Sequence, residues 1–180
     1  MKKLTLLRHA KSGWDDKVTR DFDRPLNDKG KRASAAIGHF LAEHEIKFDL
    51  ILASPAVRVI DTLEHVEEAC GASWEPEWDR RIYLASSATL IDVLRGADPD
   101  ADHILMVGHN PGLEDLIFDL VPDDGSSAAR DLVEEKFPTA ALAEMTLDIE
   151  KWDQLKESCA SLDRFTRPRD LDPELGPDYQ

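Results

Sequence analysis

Cysteine is scarce in this sequence of 180 residues, which contains only Cys70 and Cys159. The two lie far apart and form neither a CxxC pair nor a spacing typical of metal ligands. This scarcity excludes a disulfide-stabilised scaffold and fits a reducing compartment. We therefore expect a cytoplasmic protein in which the two thiols are simply packed.

Long hydrophobic runs are also lacking. Met1-Lys2-Lys3 resembles the start of a signal peptide, but only Leu4 to Leu7 precede Arg8, which is too short for the apolar region of such a peptide. No internal repeat or Gly/Ser linker divides the chain, and 42% of its residues are hydrophobic. We expect one domain over residues 1–180 without membrane association. Its charged end, from about residue 163, is predicted to be an extended tail that either wraps over the domain or is partly disordered.

Positively charged residues are also few relative to negatively charged ones. The chain has 22 lysines and arginines against 37 aspartates and glutamates, which gives a formal net charge of -15. A nucleic acid backbone would be repelled by most of such a surface. We therefore exclude nucleic acid as a partner.

Short apolar segments alternate along the chain with segments of helical periodicity. Buried strands are predicted at 3–7, 48–53 and 103–107, and a further strand, placed at the sheet edge, within 139–149. Helices are predicted at 28–45 with Asn27 as N-cap, from Ser54-Pro55 to about 70, from Ser86 or Ser87 to Gly96, and at 113–120. This order predicts an α/β fold, a three-layer α/β/α sandwich with a mostly parallel central sheet.

Arginine and histidine follow the predicted strands at the point where each strand ends. Arg8 and His9 end the first strand, Ser54 and Arg58 follow the second, and His109 follows the third. Ligands of open α/β sheets bind at the carboxyl ends of the strands. An arginine offers a planar fork of donors that fits a phosphoryl group, and two arginines in so acidic a chain favour an anionic ligand. An adjacent Arg-His pair taken alone is equally consistent with a structural pair.

Three segments together identify a family. Leu7-Arg8-His9-Ala10-Lys11-Ser12, Ser54-Pro55-Ala56-Val57-Arg58 and Val107-Gly108-His109-Asn110-Pro111 resemble the motifs of the histidine phosphatase superfamily, which is phosphoglycerate mutase-like. Within it the chain is similar to the short phosphohistidine phosphatase branch, SixA.

The resemblance implies roles for the matched residues. It makes His9 the phosphate-accepting nucleophile, Arg8 and Arg58 the phosphate clamps and His109 the second histidine of the pocket. It implies neither a metal nor another cofactor. Ser12 and Asn110 are added as candidate phosphate ligands, although the Ser12 hydroxyl is equally suited to fixing the loop. Trp14 either lines the rim of the pocket or covers an edge of the core.

A proton donor for the leaving group is harder to assign. Larger members of the superfamily use a glutamate as general acid, and here Glu77 and Asp79 are only candidates. An alkyl phosphate needs such an acid, whereas phosphohistidine, protonated on its other ring nitrogen, leaves as neutral imidazole. We therefore expect a phosphatase that acts on a phosphohistidine-bearing protein and releases inorganic phosphate. The alternatives are a phosphatase of small phosphorylated molecules and a non-catalytic module that binds phosphoryl groups.

Overall fold

A six-stranded sheet forms the centre of the computed structural model, which describes residues 1–14, 18 and 20–177. The strands are β1 (Lys2–Arg8), β2 (Leu50–Ala53), β3 (Glu77–Trp78), β4 (His103–Gly108), β5 (Leu142–Leu147) and β6 (Ala160–Thr166). They lie side by side in the order β3-β2-β4-β1-β5-β6. The pairs among β1 to β4 are parallel, and β5 is antiparallel to both of its neighbours, so the sheet is mostly parallel as predicted.

Helices cover both faces of the sheet. They are α1 (Asp28–Glu43), α2 (Val57–Cys70), α3 (Ser87–Arg95), α4 (Gly112–Leu120), α5 (Ala128–Glu135) and α6 (Pro168–Leu171). Successive strand side chains point to opposite faces. In β4, accordingly, Leu105 and Val107 pack with α1 and α2, whereas Ile104 and Met106 pack with α3 and α4. This arrangement confirms the predicted three-layer α/β/α sandwich.

Local signals located some helix starts correctly and one incorrectly. Asn27 caps α1 by accepting a hydrogen bond from Gly30 N (2.8 Å), and Ser86 caps α3. Ser54-Pro55 does not begin α2, which starts at Val57 after Ala56. The prediction was wrong by two residues: the Ser54 hydroxyl accepts from Ala56 N (3.3 Å) ahead of the helix and also lies 2.8 Å from His109 Nε2, a partner contributed by another strand end.

The end of the chain differs most from expectation. Residues 163–166 belong to β6 rather than to an extended tail, and α6 follows directly. Because β6 pairs with β5, the strand predicted at the edge lies inside the sheet. Opposite Glu144 and Met145 the pairing passes from Arg164 to Leu162, and this irregularity interrupts the alternation that would have indicated β6. Helix α5 was also not predicted, since it is short and strongly charged.

Parallel pairing brings three chain segments to one edge of the sheet. Arg8 is in register with Gly108, His9 N donates to Gly108 O (3.1 Å), and Ser54 N donates to Val107 O (3.1 Å). The residues that follow β1, β2 and β4 therefore lie together. No helix in the described part of the chain is long and apolar enough to span a bilayer.

The contact between α1 and α2 depends on Gly38. A Cβ atom at this position would lie 2.5 Å from Val66 O and 2.6 Å from Ala69 Cβ. We expect Gly38→Ala to lower the free energy of unfolding by about 1–3 kcal/mol, because the two helices must separate. Urea unfolding measures the change. Gly96→Ala is the control, since its Cβ would meet nothing closer than 3.7 Å. Equal midpoints for the two variants would contradict the predicted close contact.

Candidate active site

Four of the site residues predicted from the sequence come together at the carboxyl ends of β1, β2 and β4. They are Arg8, His9, Arg58 and His109. The rings of His9 and His109 lie 5.3 Å apart, and Arg58 Nη2 donates to His109 Nδ1 (3.3 Å). His9, His109 and Arg58 are 7%, 3% and 2% exposed. The charge of Arg8 acts on both imidazoles. Residues separated by up to 101 positions thus share one buried, cationic environment.

The His9 ring is oriented by its own backbone neighbourhood. Nδ1 lies 2.8 Å from Ala10 O, and a carbonyl oxygen can only accept, so Nδ1 holds the proton of the neutral ring. Nε2 is then left with its lone pair. Burial lowers the pKa of His9 to about 4, and the charges of Arg58 and Arg8 contribute in the same direction against the Ala10 hydrogen bond. At neutral pH His9 is therefore an uncharged ring with the lone pair of Nε2 available, which is the state that nucleophilic catalysis requires.

His109 is held in the opposite tautomer. Because the Arg58 guanidinium can only donate, His109 Nδ1 accepts, and its Nε2 donates to Ser54 Oγ (2.8 Å). Burial lowers the pKa of His109 to about 3, with His9 and Arg58 contributing next. Ser54 was assigned from sequence to a helix cap, so its role as the partner of His109 was missed.

The two arginines retain donors that the described residues do not satisfy. Arg8 Nη1 donates to Phe137 O (2.9 Å), and Arg58 Nη1 donates to Asp21 O (2.9 Å). The Nε atoms of Arg8 and Arg58 are both buried without a hydrogen-bond partner among the described residues. Leaving a buried donor unpaired costs about 1–3 kcal/mol, and more for a charged group. Two such donors beside neutral imidazoles are suited to binding an anion.

Metal-binding side chains are not assembled in the same way. Across the residues that the structure describes, no group of three or more His, Cys, Asp or Glu side chains could hold a metal ion. The described residues that contact one another here supply two imidazoles, two guanidinium groups and one carboxylate that binds Arg58 directly.

That carboxylate, Asp21, was not singled out from the sequence. Its Oδ2 accepts from Arg58 Nη2 (3.0 Å) and from the Tyr83 hydroxyl (2.6 Å), while Oδ1 accepts from Arg24 Nε (3.0 Å). Burial raises the pKa of Asp21, but the hydrogen bond from Tyr83 and the charge of Arg58 outweigh it and hold this pKa below its ordinary value. Asp21 is thus ionised and orients Arg58. Asp21 begins a single 3-10 turn (Asp21–Asp23) between β1 and α1, and this position gave no sequence signal of its role.

The secondary candidates lie at the periphery. Ser12 forms an isolated β-bridge with Leu26, so its backbone fixes the loop after β1. Asn110 Nδ2 donates to Phe137 O (2.9 Å), and Asn110 Oδ1 accepts from Glu114 N (3.3 Å), which ties its side chain to two backbone groups. Trp14 is 61% exposed and lies against the Arg24 guanidinium, so it does not cover the core.

Neither candidate general acid contacts the site residues in the described structure. Asp79 is bound by Arg81, with Nη2 2.6 Å from Oδ2, and this hydrogen bond holds the pKa of Asp79 below its ordinary value despite partial burial. Asp79 therefore has no proton to donate at neutral pH. Glu77 is exposed in the short edge strand β3.

Comparison with known proteins agrees with this geometry. The family model of the histidine phosphatase superfamily (branch 1) matches residues 4–81, which include Arg8, His9 and Arg58. An uncharacterized protein of Mycobacterium tuberculosis is 32% identical over 164 residues, which cover 91% of this chain and 100% of that protein. The chain belongs to the histidine phosphatase superfamily.

Solved structures place it more narrowly among the histidine phosphatases. A protein from Nakamurella multipartitia, proposed to be the phosphohistidine phosphatase SixA, superimposes with a TM-score of 0.81 and 28% identity, over 93% of this chain and 96% of that one. A second protein proposed to be SixA, from Agrobacterium tumefaciens, gives a TM-score of 0.77 and 27% identity, over 93% and 98% of the two chains. The fold of this histidine phosphatase is therefore SixA-like.

The neutral state of the two imidazoles is testable by NMR. Because burial lowers the pKa of His9 to about 4 and that of His109 to about 3, neither ring should titrate between pH 8 and 5.5. A free imidazole, with a pKa of about 6.5, is largely protonated at pH 5.5. Ring ¹H–¹³C shifts of the free protein measure this, with His9 assigned from its absence in His9→Asn. A midpoint near 6.5 for either ring would disprove the assignment.

Proposed function

We propose that this protein is a phosphatase that transfers a phosphoryl group from a protein phosphohistidine to His9 Nε2 and then to water. The observation that supports it most strongly is the pairing of a neutral His9, whose Nδ1 is held by Ala10 O, with unsatisfied buried donors on Arg8 and Arg58. The imidazole supplies the nucleophile. The guanidinium groups bind the phosphoryl oxygens.

The reaction divides into two displacements. In the first, the lone pair of His9 Nε2 forms a bond to phosphorus, and the bond from phosphorus to the leaving nitrogen breaks, returning its electron pair to the leaving imidazole. In the second, water attacks phosphorus, the bond to Nε2 breaks, a proton passes to solvent and inorganic phosphate departs. A covalent intermediate replaces one difficult step by two easier ones.

Charge stabilisation supplies most of the catalysis in this proposal. Phosphoryl transfer needs little covalent help from a protein, because charge develops mainly on the non-bridging oxygens. Arg8 and Arg58 are preorganised for that charge by Phe137 O and Asp21, so they need not reorganise during the reaction. His109, oriented by Ser54, completes the surroundings of the phosphoryl group.

Neither candidate general acid, Glu77 or Asp79, contacts the described site residues, which favours phosphohistidine over phosphate esters as the substrate. Asp21 and Asp79 are held ionised by their partners, and the Tyr83 hydroxyl is engaged in a hydrogen bond that it donates to Asp21. A leaving imidazole is neutral once its other nitrogen is protonated, whereas an alkoxide needs a proton donor in the transition state. The likeness to two structures proposed to be SixA phosphohistidine phosphatases supports the same substrate class.

The proposal extends to partners and compartment. The substrate is a phosphohistidine-bearing protein, the product is inorganic phosphate, and the net charge of -15 disfavours nucleic acid. Cys70 and Cys159 are both free thiols, which supports a reducing compartment such as the cytoplasm.

Replacing the nucleophile tests the mechanism directly. We expect His9→Ala to abolish phosphate release and the acid-labile phosphoenzyme, because no other group supplies the attacking lone pair. Rapid-quench trapping with a labelled phosphohistidine protein measures both. His39→Ala is the control, since His39 is exposed on α1. Full activity in His9→Ala, or labelled phosphate on another residue, would refute the role of His9. Binding without release by the wild type would favour the non-catalytic module.

Replacing a clamp should act on affinity as well as rate. We expect Arg58→Gln to weaken inhibition by inorganic phosphate at least about tenfold and to reduce kcat, because a charge-assisted hydrogen bond contributes about 1.5–3 kcal/mol. Steady-state kinetics with phosphate as inhibitor measure both, and circular dichroism checks the fold. Arg32→Gln removes an exposed arginine paired with Glu174 and serves as control. Unchanged phosphate inhibition in Arg58→Gln would exclude the clamp.

A further inference from the structure

A cavity of about 310 Å³ is lined by Arg8 but not by His9, Arg58 or His109. Six of the thirteen residues that line it are cationic, although lysine and arginine make up only 22 of the 180 residues of the chain. None of the thirteen is a carboxylate. The six cations are Arg8, Lys11, Lys29, Lys136, Arg167 and Arg169. We call this the basic cavity.

Several chain segments build the basic cavity. Lys11 follows β1, Lys29 lies in the first turn of α1, Lys136 follows α5, and Arg167 and Arg169 flank the start of α6. Apolar lining is contributed by Ala33, Pro138, Pro168 and Leu175. The cavity therefore combines apolar walls with a cationic rim, which suits a short aliphatic stem that ends in an anion.

Part of this positive charge is compensated and part is not. Arg167 is paired with Asp170 (2.8 Å), and the charge of Glu114 acts on Arg8. Lys136 and Arg169, by contrast, form no salt bridge with any described residue, although the charge of Arg169 acts on Asp170. Like charges gathered in one cavity repel one another, and this cost is offset when an anion binds. The distribution is unexpected in a chain with a net charge of -15 and indicates a ligand of opposite sign.

The basic cavity and the candidate active site share a wall. Phe137 O accepts from both Arg8 Nη1 and Asn110 Nδ2, at 2.9 Å each, and Phe137 lies between the cavity residues Lys136 and Pro138. Ala140 N in turn donates to the carbonyls of Arg8 and His9. An anion in the basic cavity would thus lie next to the phosphoryl group bound by Arg8.

We propose that the basic cavity binds a second anionic group of the phosphorylated substrate, a carboxylate or a second phosphate, through Lys136 and Arg169. The inference rests on the proposed function, because it assigns the first anion to Arg8, Arg58 and His9. The two sources of this chemistry are an acidic side chain near the phosphohistidine of a protein and a second phosphate on a small molecule.

Two matched substrate pairs test the proposal and separate the sources. The first pair is a peptide whose phosphohistidine is flanked by glutamate and the same peptide with glutamine in its place. The second pair is butanediol bisphosphate and butanediol monophosphate. We expect the wild type to prefer the more acidic member of one pair by about tenfold in kcat/KM. Lys136→Gln/Arg169→Gln should abolish this preference and leave turnover of the glutamine peptide unchanged. The pair that shows the preference identifies the source.

The control variant Lys151→Gln/Lys156→Gln removes the same charge at exposed positions that do not line the cavity. It should keep the preference. No preference in either pair, or a preference that persists in Lys136→Gln/Arg169→Gln, would overturn the inference.

A binding assay separates failure of this inference from failure of the proposed function. Fluorescence polarisation compares the labelled glutamate and glutamine peptides on His9→Ala, with and without Lys136→Gln/Arg169→Gln. Tighter binding of the glutamate peptide that depends on Lys136 and Arg169, without phosphate release by the wild type, would support the cavity and refute the phosphatase. Phosphate release by the wild type with no preference in either substrate pair would support the phosphatase and refute the role of the cavity.

Discussion

Burial of two neighbouring guanidinium groups is the constraint on which the site depends. A buried cation costs free energy unless hydrogen bonds or an anion compensate it. Arg58 is 2% exposed and is compensated by Asp21, while Arg8 donates to Phe137 O. These partners leave the Nε atoms of both arginines unsatisfied among the described residues. The oxygens of a bound phosphoryl group could accept hydrogen bonds from these two Nε atoms. The ligand of the proposed reaction would therefore also compensate the buried charge of the arginines.

The same burial determines the state of the imidazoles. Removing His9 and His109 from water disfavours their charged forms, and the arginines beside them add to the effect. The hydrogen bonds of His9 and His109 then place the proton on different nitrogens of the two imidazole rings. Ala10 O leaves the lone pair of His9 on Nε2, whereas Arg58 and Ser54 engage both nitrogens of His109. His9 therefore keeps a lone pair for the proposed attack on phosphorus, and His109 is fixed in place.

The groups that tune the site lie on loops, whereas the principal groups follow strands. Asp21 and Tyr83 meet across the loop after β1 and the turn after β3, and Phe137 approaches from the segment after α5. Loops tolerate change better than buried strands. In this architecture the proposed phosphoryl chemistry is held by the sheet, while the proposed choice of substrate depends on the peripheral segments that line the basic cavity.

The sequence by itself determined the layers of the fold, the cap of α1 and the residues that end β1 and β4, because hydrophobic periodicity and capping act over a few residues. The predicted strand ends also drew attention to Arg8, His9, Arg58 and His109, and the resemblance to the histidine phosphatase motifs implied their roles. Only the tertiary structure decided that Ser54 binds His109, that Asp21 binds Arg58 and Tyr83, and that β6 forms an edge of the sheet. Ser54 and His109 are 55 positions apart, and Asp21 and Tyr83 are 62 apart. Contacts at such separations depend on how the strands are ordered and paired in space, which local periodicity does not encode.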